Sequence, residues 1–173
     1  MTRRTNARIA GVAFLVYIVA GIGSMALRGR GGHASDVLVL FTSFCAVLLG
    51  VTLYSITHDQ DPDLALIGLA CRLIEAVQSD GAIYFAVGST LFCWLLLRGR
   101  MIPVALAWFG VLGSLMLVVL LLLQRAAWFG GALNWSSPVT WAVWFPMLVF
   151  EVSLALYLLI HGVRAPAPRL VPR

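Results

Sequence analysis

The sequence predicts an all-α membrane protein, a polytopic bundle of six transmembrane helices, and three observations lead to this prediction. Composition is the first. Of the 173 residues, 61% are hydrophobic and only 11% are charged, and the mean hydropathy is +0.97. Soluble domains carry roughly 25% charged residues, so this chain has too little polar surface to cover a globule in water. Lipid must therefore be the solvent for much of the chain.

The length of the apolar runs is the second observation. A helix rises about 1.5 Å per residue, so a hydrocarbon core of about 30 Å needs about 20 helical residues. Six runs come near this length, and the short connections between them favour a single domain over residues 1–173. The predicted spans are residues 9–27, 37–56, 64–79, 81–97, 101–123 and 139–160. The third and fourth runs are short and almost continuous.

Arginine placement is the third observation, because positive charge beside a span is retained on the cytoplasmic side. With six spans and a cytoplasmic N-terminus, most of the arginines outside the spans are cytoplasmic. These are Arg3, Arg4, Arg8, Arg98, Arg100, Arg164, Arg169 and Arg173. Arg28, Arg30 and Arg125 lie on the opposite side. Five spans, with the third run at the membrane interface, would place more arginines outside than inside. We therefore expect six spans and cytoplasmic N- and C-termini.

Other function classes find little support in the sequence. The arginines flank segments that must lie in lipid, so we expect membrane lipids as partners and no nucleic acid. The chain has no HExxH, GxSxG or phosphate-binding motif, and no base beside a mid-membrane serine or cysteine. We therefore expect no catalytic residue, no cofactor and no metal, and an enzyme is the less favoured reading. A homo-oligomer is left open.

Three ionisable residues fall inside the predicted spans, where each costs roughly 2.5 to 3.5 kcal/mol on insertion scales and needs a partner. Arg72 and Glu75 are three residues apart, so they share one face of the third helix and can pair with each other. Glu151 lies near the centre of the sixth run and has no ionisable neighbour in its own helix. It needs a partner elsewhere, for which Arg72 is the obvious choice, or it must stay uncharged.

Two functions remain open for these charges. In the preferred interpretation, Arg72, Glu75 and Glu151 hold a non-enzymatic bundle that binds a partner or a lipid-like ligand. Alternatively, the same residues serve a small transporter or proton-coupled carrier, with Asp80 as an access group at the outer end. Pro146 would bend the sixth helix and free a backbone carbonyl near Glu151, which favours a polar cavity there.

Tryptophans accumulate around the start of the sixth run. Trp141 and Trp144 lie there, and Trp128 and Trp135 precede them in the connection from the fifth run. Because tryptophan is enriched where a membrane meets water, we interpret these residues as an aromatic belt at the outer interface.

Three stretches carry a resemblance to a known family. They are R-I-A-G at residues 8–11, R-L-I-E-A at residues 72–76, and FCWLLLRGRMIPVALAWFGVLG at residues 92–113. Together with a glutamate in the last helix, they resemble the bacterial membrane family catalogued as domain of unknown function 4386. The resemblance implies a multi-pass protein of the bacterial cytoplasmic (inner) membrane whose activity is unassigned, and it adds no mechanism.

Overall fold

The computed structural model describes residues 2–27, 33–78, 81–126, 128 and 138–165, and the regular structure within them is entirely helical. Six helices follow one another along the described chain. They are α1 (Arg3–Leu27), α2 (Ala34–Thr57), α3 (Pro62–Val77), α4 (Ala82–Arg98), α5 (Val104–Arg125) and α6 (Pro138–Ile160). Each helix covers most of one predicted run, so the all-α fold class is confirmed.

The helix boundaries are determined by capping residues and prolines more than by the ends of the apolar runs. Asp61 caps α3, because its Oδ1 accepts a hydrogen bond from the backbone N–H of Leu64 at 3.2 Å, and Pro62 occupies the first helical position. α1 begins at Arg3, before the first residue of the apolar run, because a helix can extend beyond the segment that lies in lipid. α5 begins after Pro103, later than the run, because the residue before a proline avoids helical geometry.

The six helices form a ring. Each helix packs against the next along the chain, and α6 returns to pack against α1. α2 also touches α4 across the ring. The interior is filled by apolar side chains that are at most 4% exposed, with Phe14 from α1, Leu49 from α2, Phe92 from α4, and Phe150 and Leu154 from α6. Among the described residues, α1, α2, α4, α5 and α6 therefore share the apolar core, to which α3 contributes no side chain.

The outer surface of the ring is apolar. Large hydrophobic side chains are exposed on all six helices, and examples are Val19 at 70%, Phe44 at 64% and Val77 at 83%. α1, α2, α5 and α6 are long and apolar enough to cross a membrane, and α4 is apolar but shorter. A surface of this kind would aggregate in water, so the structure supports a membrane protein.

Hydroxyl groups inside the helices donate to backbone carbonyls of their own helix. Thr52 donates to Leu48 at 2.8 Å, and Ser114 donates to Gly110 at 2.6 Å. In lipid no water can satisfy such groups, so each helix must satisfy them itself. These contacts fit the membrane environment that the composition predicts.

The end of the ring that carries the N-terminus of α1 is closed by contacts between helix termini. Arg3 forms an ion pair with Asp59, and Arg98 forms another with Asp61 at 3.2 Å. Met101 and Ile102, in the α4–α5 connection, are at most 1% exposed. These contacts place the starts of α1, α3 and α5 and the ends of α2 and α4 at one level.

The opposite end of the ring is uneven, because α3 and α4 are short. They contain 16 and 17 residues, whereas α1, α2 and α6 contain 25, 24 and 23. At 1.5 Å per residue, α3 and α4 are about 25 Å long and the other three are about 35 to 38 Å long. Since the helices are level at the closed end, the α3–α4 hairpin stops about 10 Å short of its neighbours at the other end.

Two glycines of α1 provide a test of how closely α1 and α6 approach. A Cβ at Gly11 would lie 2.8 Å from the backbone oxygen of Ala155, whereas a Cβ at Gly21 would meet nothing within 4 Å. We expect Gly11→Ala to lower stability by about 1 to 3 kcal/mol through overpacking, and Gly21→Ala to leave it unchanged or slightly raised. Thermal unfolding in detergent checks both. Equal effects at the two positions would contradict the close approach.

Candidate functional site

Two glycines allow Arg72 to lie inside the ring. A Cβ at Gly50 of α2 would lie 2.9 Å from the Cβ of Arg72, and a Cβ at Gly88 of α4 would lie 3.0 Å from the Cβ of Cys71. α3 therefore packs directly against the backbones of both neighbours at the level of Arg72. At this position Arg72 is 1% exposed.

The Arg72 guanidinium is held by three residues from three helices. Its Nη1 lies 2.9 Å from Oε2 of Glu75. The two groups form an ion pair, but their geometry does not make a hydrogen bond. Its central carbon lies 5.5 Å from the ring centre of Tyr17 and 5.1 Å from that of Phe85. The Tyr17 hydroxyl donates to Oε1 of Glu75 at 2.7 Å. A desolvated cation over an aromatic face gains about 2 kcal/mol, so both rings help to offset the burial of the charge.

The predicted local pair of Arg72 and Glu75 is therefore present in the structure. Tyr17 and Phe85 were not predicted as parts of this site. Tyr17 is 58 residues away from Glu75 in the chain, so no local pattern could associate them. The only sequence signal was that a buried tyrosine usually needs a hydrogen-bond partner.

Glu151 lies nearby but makes no bond to Arg72. It is 5% exposed and lies within electrostatic range of both Arg72 and Glu75. Among the described residues, its Oε1 has no hydrogen-bond partner, and neither have Nε and Nη2 of Arg72. The expected direct pair of these two residues is thus not formed, because the guanidinium is directed towards Glu75 and the two rings. Glu151 remains a buried carboxyl group without a bound cation.

A cavity of about 370 Å³ opens above the α3–α4 hairpin. Its floor includes Glu75 and Phe85, and its walls come from α1, α2 and α6. α1 continues about 15 Å beyond Tyr17, whereas α3 continues about 3 Å beyond Glu75. The cavity exists because the hairpin is too short to fill the ring at this end.

The cavity surface is acidic and aromatic. Glu75 and Glu151 both line it, and the described lining includes no basic side chain, since Arg72 lies behind the floor. Trp141, Trp144 and Phe145 form an aromatic wall from α6. Trp144 also packs on the floor, with its ring centre 5.5 Å from that of Phe85. Two of the four tryptophans that the sequence assigns to an interfacial belt, Trp141 and Trp144, therefore line this cavity.

Pro146 lies inside α6, as the sequence predicts. A proline has no N–H, so it cannot donate to the carbonyl of Ala142, one turn earlier. This carbonyl belongs to the helical turn that carries Trp141 and Phe145 in the cavity wall. α6 therefore lacks one of its regular backbone hydrogen bonds at the level above Glu151.

The remaining predicted site residue, Asp80, lies outside the described residues. Within the described chain, no three histidine, cysteine, aspartate or glutamate side chains come together in an arrangement that could hold a metal ion.

Comparison with known proteins identifies one family. Residues 80–162 match the family described as Domain of unknown function (DUF4386). The resemblance noted in the sequence is thereby confirmed for the part of the chain that forms α4, α5 and α6. The match includes Phe85 and Glu151, whereas Tyr17, Arg72 and Glu75 precede it. No curated protein and no solved structure matches the chain.

The two glutamates of the cavity should differ in their effect on stability. Glu75→Gln removes the charge that balances Arg72, and breaking a buried pair typically costs about 3 to 5 kcal/mol. Glu151→Gln removes a carboxyl group that has no bonded partner, so we expect a change within about 1 kcal/mol. Thermal unfolding in detergent compares the two variants, each of which replaces one carboxyl group by an amide.

A double variant separates the ion pair from a general effect of removing charge. Arg72→Gln combined with Glu75→Gln leaves no unbalanced charge, so it should be more stable than either single variant. Additive losses of stability would show that the two side chains do not depend on each other.

Proposed function

We propose that this chain is a non-enzymatic membrane protein that binds a small lipid-like ligand in the cavity above the α3–α4 hairpin. All six helices lie in the cytoplasmic membrane of a bacterium, and both termini are cytoplasmic. One observation carries the proposal, namely the buried carboxyl group of Glu151 in the wall of an open cavity without a bonded cation. Membrane lipids surround the apolar outer surface of the ring.

The cost of burying Glu151 supports a ligand site over a packing role. A buried polar group is costly unless it is hydrogen-bonded, and nearly all such groups in proteins have a partner. Arg72 already has a carboxylate partner in Glu75, so Glu151 is not needed to balance it. An apolar residue at this position would pack at lower cost. The presence of a glutamate instead therefore favours a contact that a ligand completes.

The size and surface of the cavity also fit a small molecule. A volume of about 370 Å³ lies within the range of roughly 300 to 1,000 Å³ that small-molecule sites occupy. Such sites combine apolar walls with a few polar groups, as Tyr17, Glu75 and Glu151 do here. The hydroxyls of Ser24 and Thr42 donate to backbone carbonyls of their own helices at 2.8 and 2.7 Å. Because these hydroxyls donate to backbone carbonyls and not to a base, they favour binding over nucleophilic catalysis.

The arginine distribution supports the orientation. The closed end carries Arg3 and Arg98 in ion pairs, and Arg100 and Arg164 lie in the segments next to it. Positive charge beside spans is retained in the cytoplasm. The cavity would then open towards the external face of the membrane.

A small proton-coupled carrier is the second candidate, and the closed end favours it. Its ion pairs of Arg3 with Asp59 and of Arg98 with Asp61 have half-exposed side chains. Exposed pairs contribute little stability, typically about 0 to 1 kcal/mol, so these two ion pairs could be broken at low cost. In a carrier, the cavity would open alternately to the two sides of the membrane. Glu151 would release its proton when the cavity opens to the other side. Uptake of a cavity ligand driven by a proton gradient in vesicles would favour the carrier, whereas binding without uptake favours the first proposal.

Thiol labelling tests whether water reaches the cavity. In a background with Cys45, Cys71 and Cys93 replaced by alanine, we expect Ser43→Cys in the cavity wall to react with a membrane-impermeant maleimide from the external face. Ser153→Cys is the matched control, because its side chain lies on the exposed outer surface of α6 and should face lipid. Labelling of both residues, or of neither, would count against an external water-filled cavity.

Reporter fusions test the span number and orientation separately. Fusions at the N- and C-termini should both report the cytoplasm, because six spans return the chain to its starting side. Fusion after α4 should also report the cytoplasm, at the level of Arg98. Termini on opposite faces would mean an odd number of spans, and external termini would reverse the orientation of the cavity.

A further inference from the structure

We infer that the ligand of this cavity is an organic cation with an apolar body, such as a lipophilic amine or quaternary ammonium compound. This inference rests on the proposed ligand site and names the class of molecule that the site accepts. It stands on three observations about the cavity: its charge, its aromatic lining and its opening towards lipid.

The charge balance of the cavity calls for a cation. Arg72 and Glu75 form one balanced pair, and Tyr17 donates its hydroxyl to the same carboxylate. Glu151 adds a second carboxyl group, which lines the cavity and is 5% exposed. Since the described lining includes no basic side chain, a positive charge in the cavity would favour Glu151 as a carboxylate and pair with it. An anionic ligand would meet the carboxyl groups of Glu75 and Glu151, and the described lining offers it no basic side chain.

The aromatic lining fits the same class of ligand. Phe85 forms part of the floor, and Trp141, Trp144 and Phe145 form the α6 wall. Aromatic faces attract quaternary and protonated ammonium groups, and tryptophan gives the strongest attraction. Arg72 already occupies a position over Tyr17 and Phe85 on the protein side of the floor. The α6 wall therefore presents the further aromatic surface that a ligand cation could contact.

The shape of the ring allows the apolar body of the ligand to contact lipid. Above the short α3–α4 hairpin, α2 contributes Val39, Thr42 and Ser43 to the cavity, and α6 contributes Trp141 and Phe145. α2 and α6 do not pack against each other. Of the three helices between them on this side of the ring, α3 and α4 end below this level, so no helix of the hairpin closes the space between α2 and α5. The ligand can therefore come from the aqueous phase or from the outer leaflet, and the chemistry that recognises its cation is the same in both cases.

Matched probes test the charge requirement. Benzyltrimethylammonium and its neutral carbon analogue neopentylbenzene have nearly the same shape and differ in charge. Binding of each to the full chain in maltoside micelles is measured by calorimetry and by the shift in thermal unfolding. We expect the cation to bind and the neutral analogue to bind at least about tenfold more weakly. Dodecyltrimethylammonium, added to the chain in lipid nanodiscs, reports whether a membrane-partitioned cation reaches the same site.

Variants at Glu151 identify the partner of the cation. Loss of one partner of a buried charge pair typically costs 2 to 5 kcal/mol, so Glu151→Gln should weaken binding of the cation by roughly 30-fold or more. Glu151→Asp keeps the charge and should retain most of the affinity. Ser153→Ala, on the same helix but outside the cavity, should bind as the parent does. An unchanged affinity in Glu151→Gln would overturn the inference.

A cavity-filling variant separates this inference from the proposed ligand site. A side chain at Gly21 enters open space in the cavity wall, so Gly21→Leu should block every cavity ligand, whereas Gly21→Ala should not. If both probes bind equally and Gly21→Leu blocks both, the cavity binds small molecules but does not select cations. If neither probe binds to the folded parent, the cation inference is wrong. Cation binding that survives Gly21→Leu would place the site elsewhere and contradict both proposals.

Discussion

An arginine buried among six apolar helices must have its charge balanced inside the bundle, and much of the central structure depends on this requirement. Arg72 meets it with a carboxylate from its own helix and with aromatic faces from α1 and α4. Gly50 and Gly88 let α3 approach its neighbours closely enough for the side chain to lie inside the ring. The Tyr17 hydroxyl completes the arrangement by fixing the carboxylate of Glu75. Four helices are thus tied together around one charge.

The position of this charge along α3 decides where the cavity lies. Glu75 is close to the last residue of α3, so the polar residues lie almost at the top of the short hairpin. The longer helices α1, α2 and α6 continue past this level and enclose the space above it. A longer hairpin would fill the space and cover the carboxyl groups with apolar side chains. The short hairpin therefore places acidic groups at the base of an accessible recess within an apolar bundle.

The candidate site combines a part of the chain that matches a known family with a part that precedes the match. α4 and α6, which supply Phe85 and Glu151, lie in the region that matches the family of unknown function. α1 and α3, which supply Tyr17, Arg72 and Glu75, lie before it. The matched part thus supplies the unpaired carboxyl group and the aromatic wall, and the preceding part supplies the balanced pair that forms the floor. Neither part forms the cavity alone.

Local and compositional features of this protein could be predicted from its sequence. Apolar run length predicts six helices, and the three-residue spacing predicts the contact between Arg72 and Glu75. Each depends on residues that are close together in the sequence. The tertiary structure alone decided that Tyr17 reaches Glu75, that Glu151 makes no bond to Arg72, and that a cavity separates the helix ends. These features depend on how the ring closes and on the relative lengths of helices far apart in sequence, which no local pattern encodes.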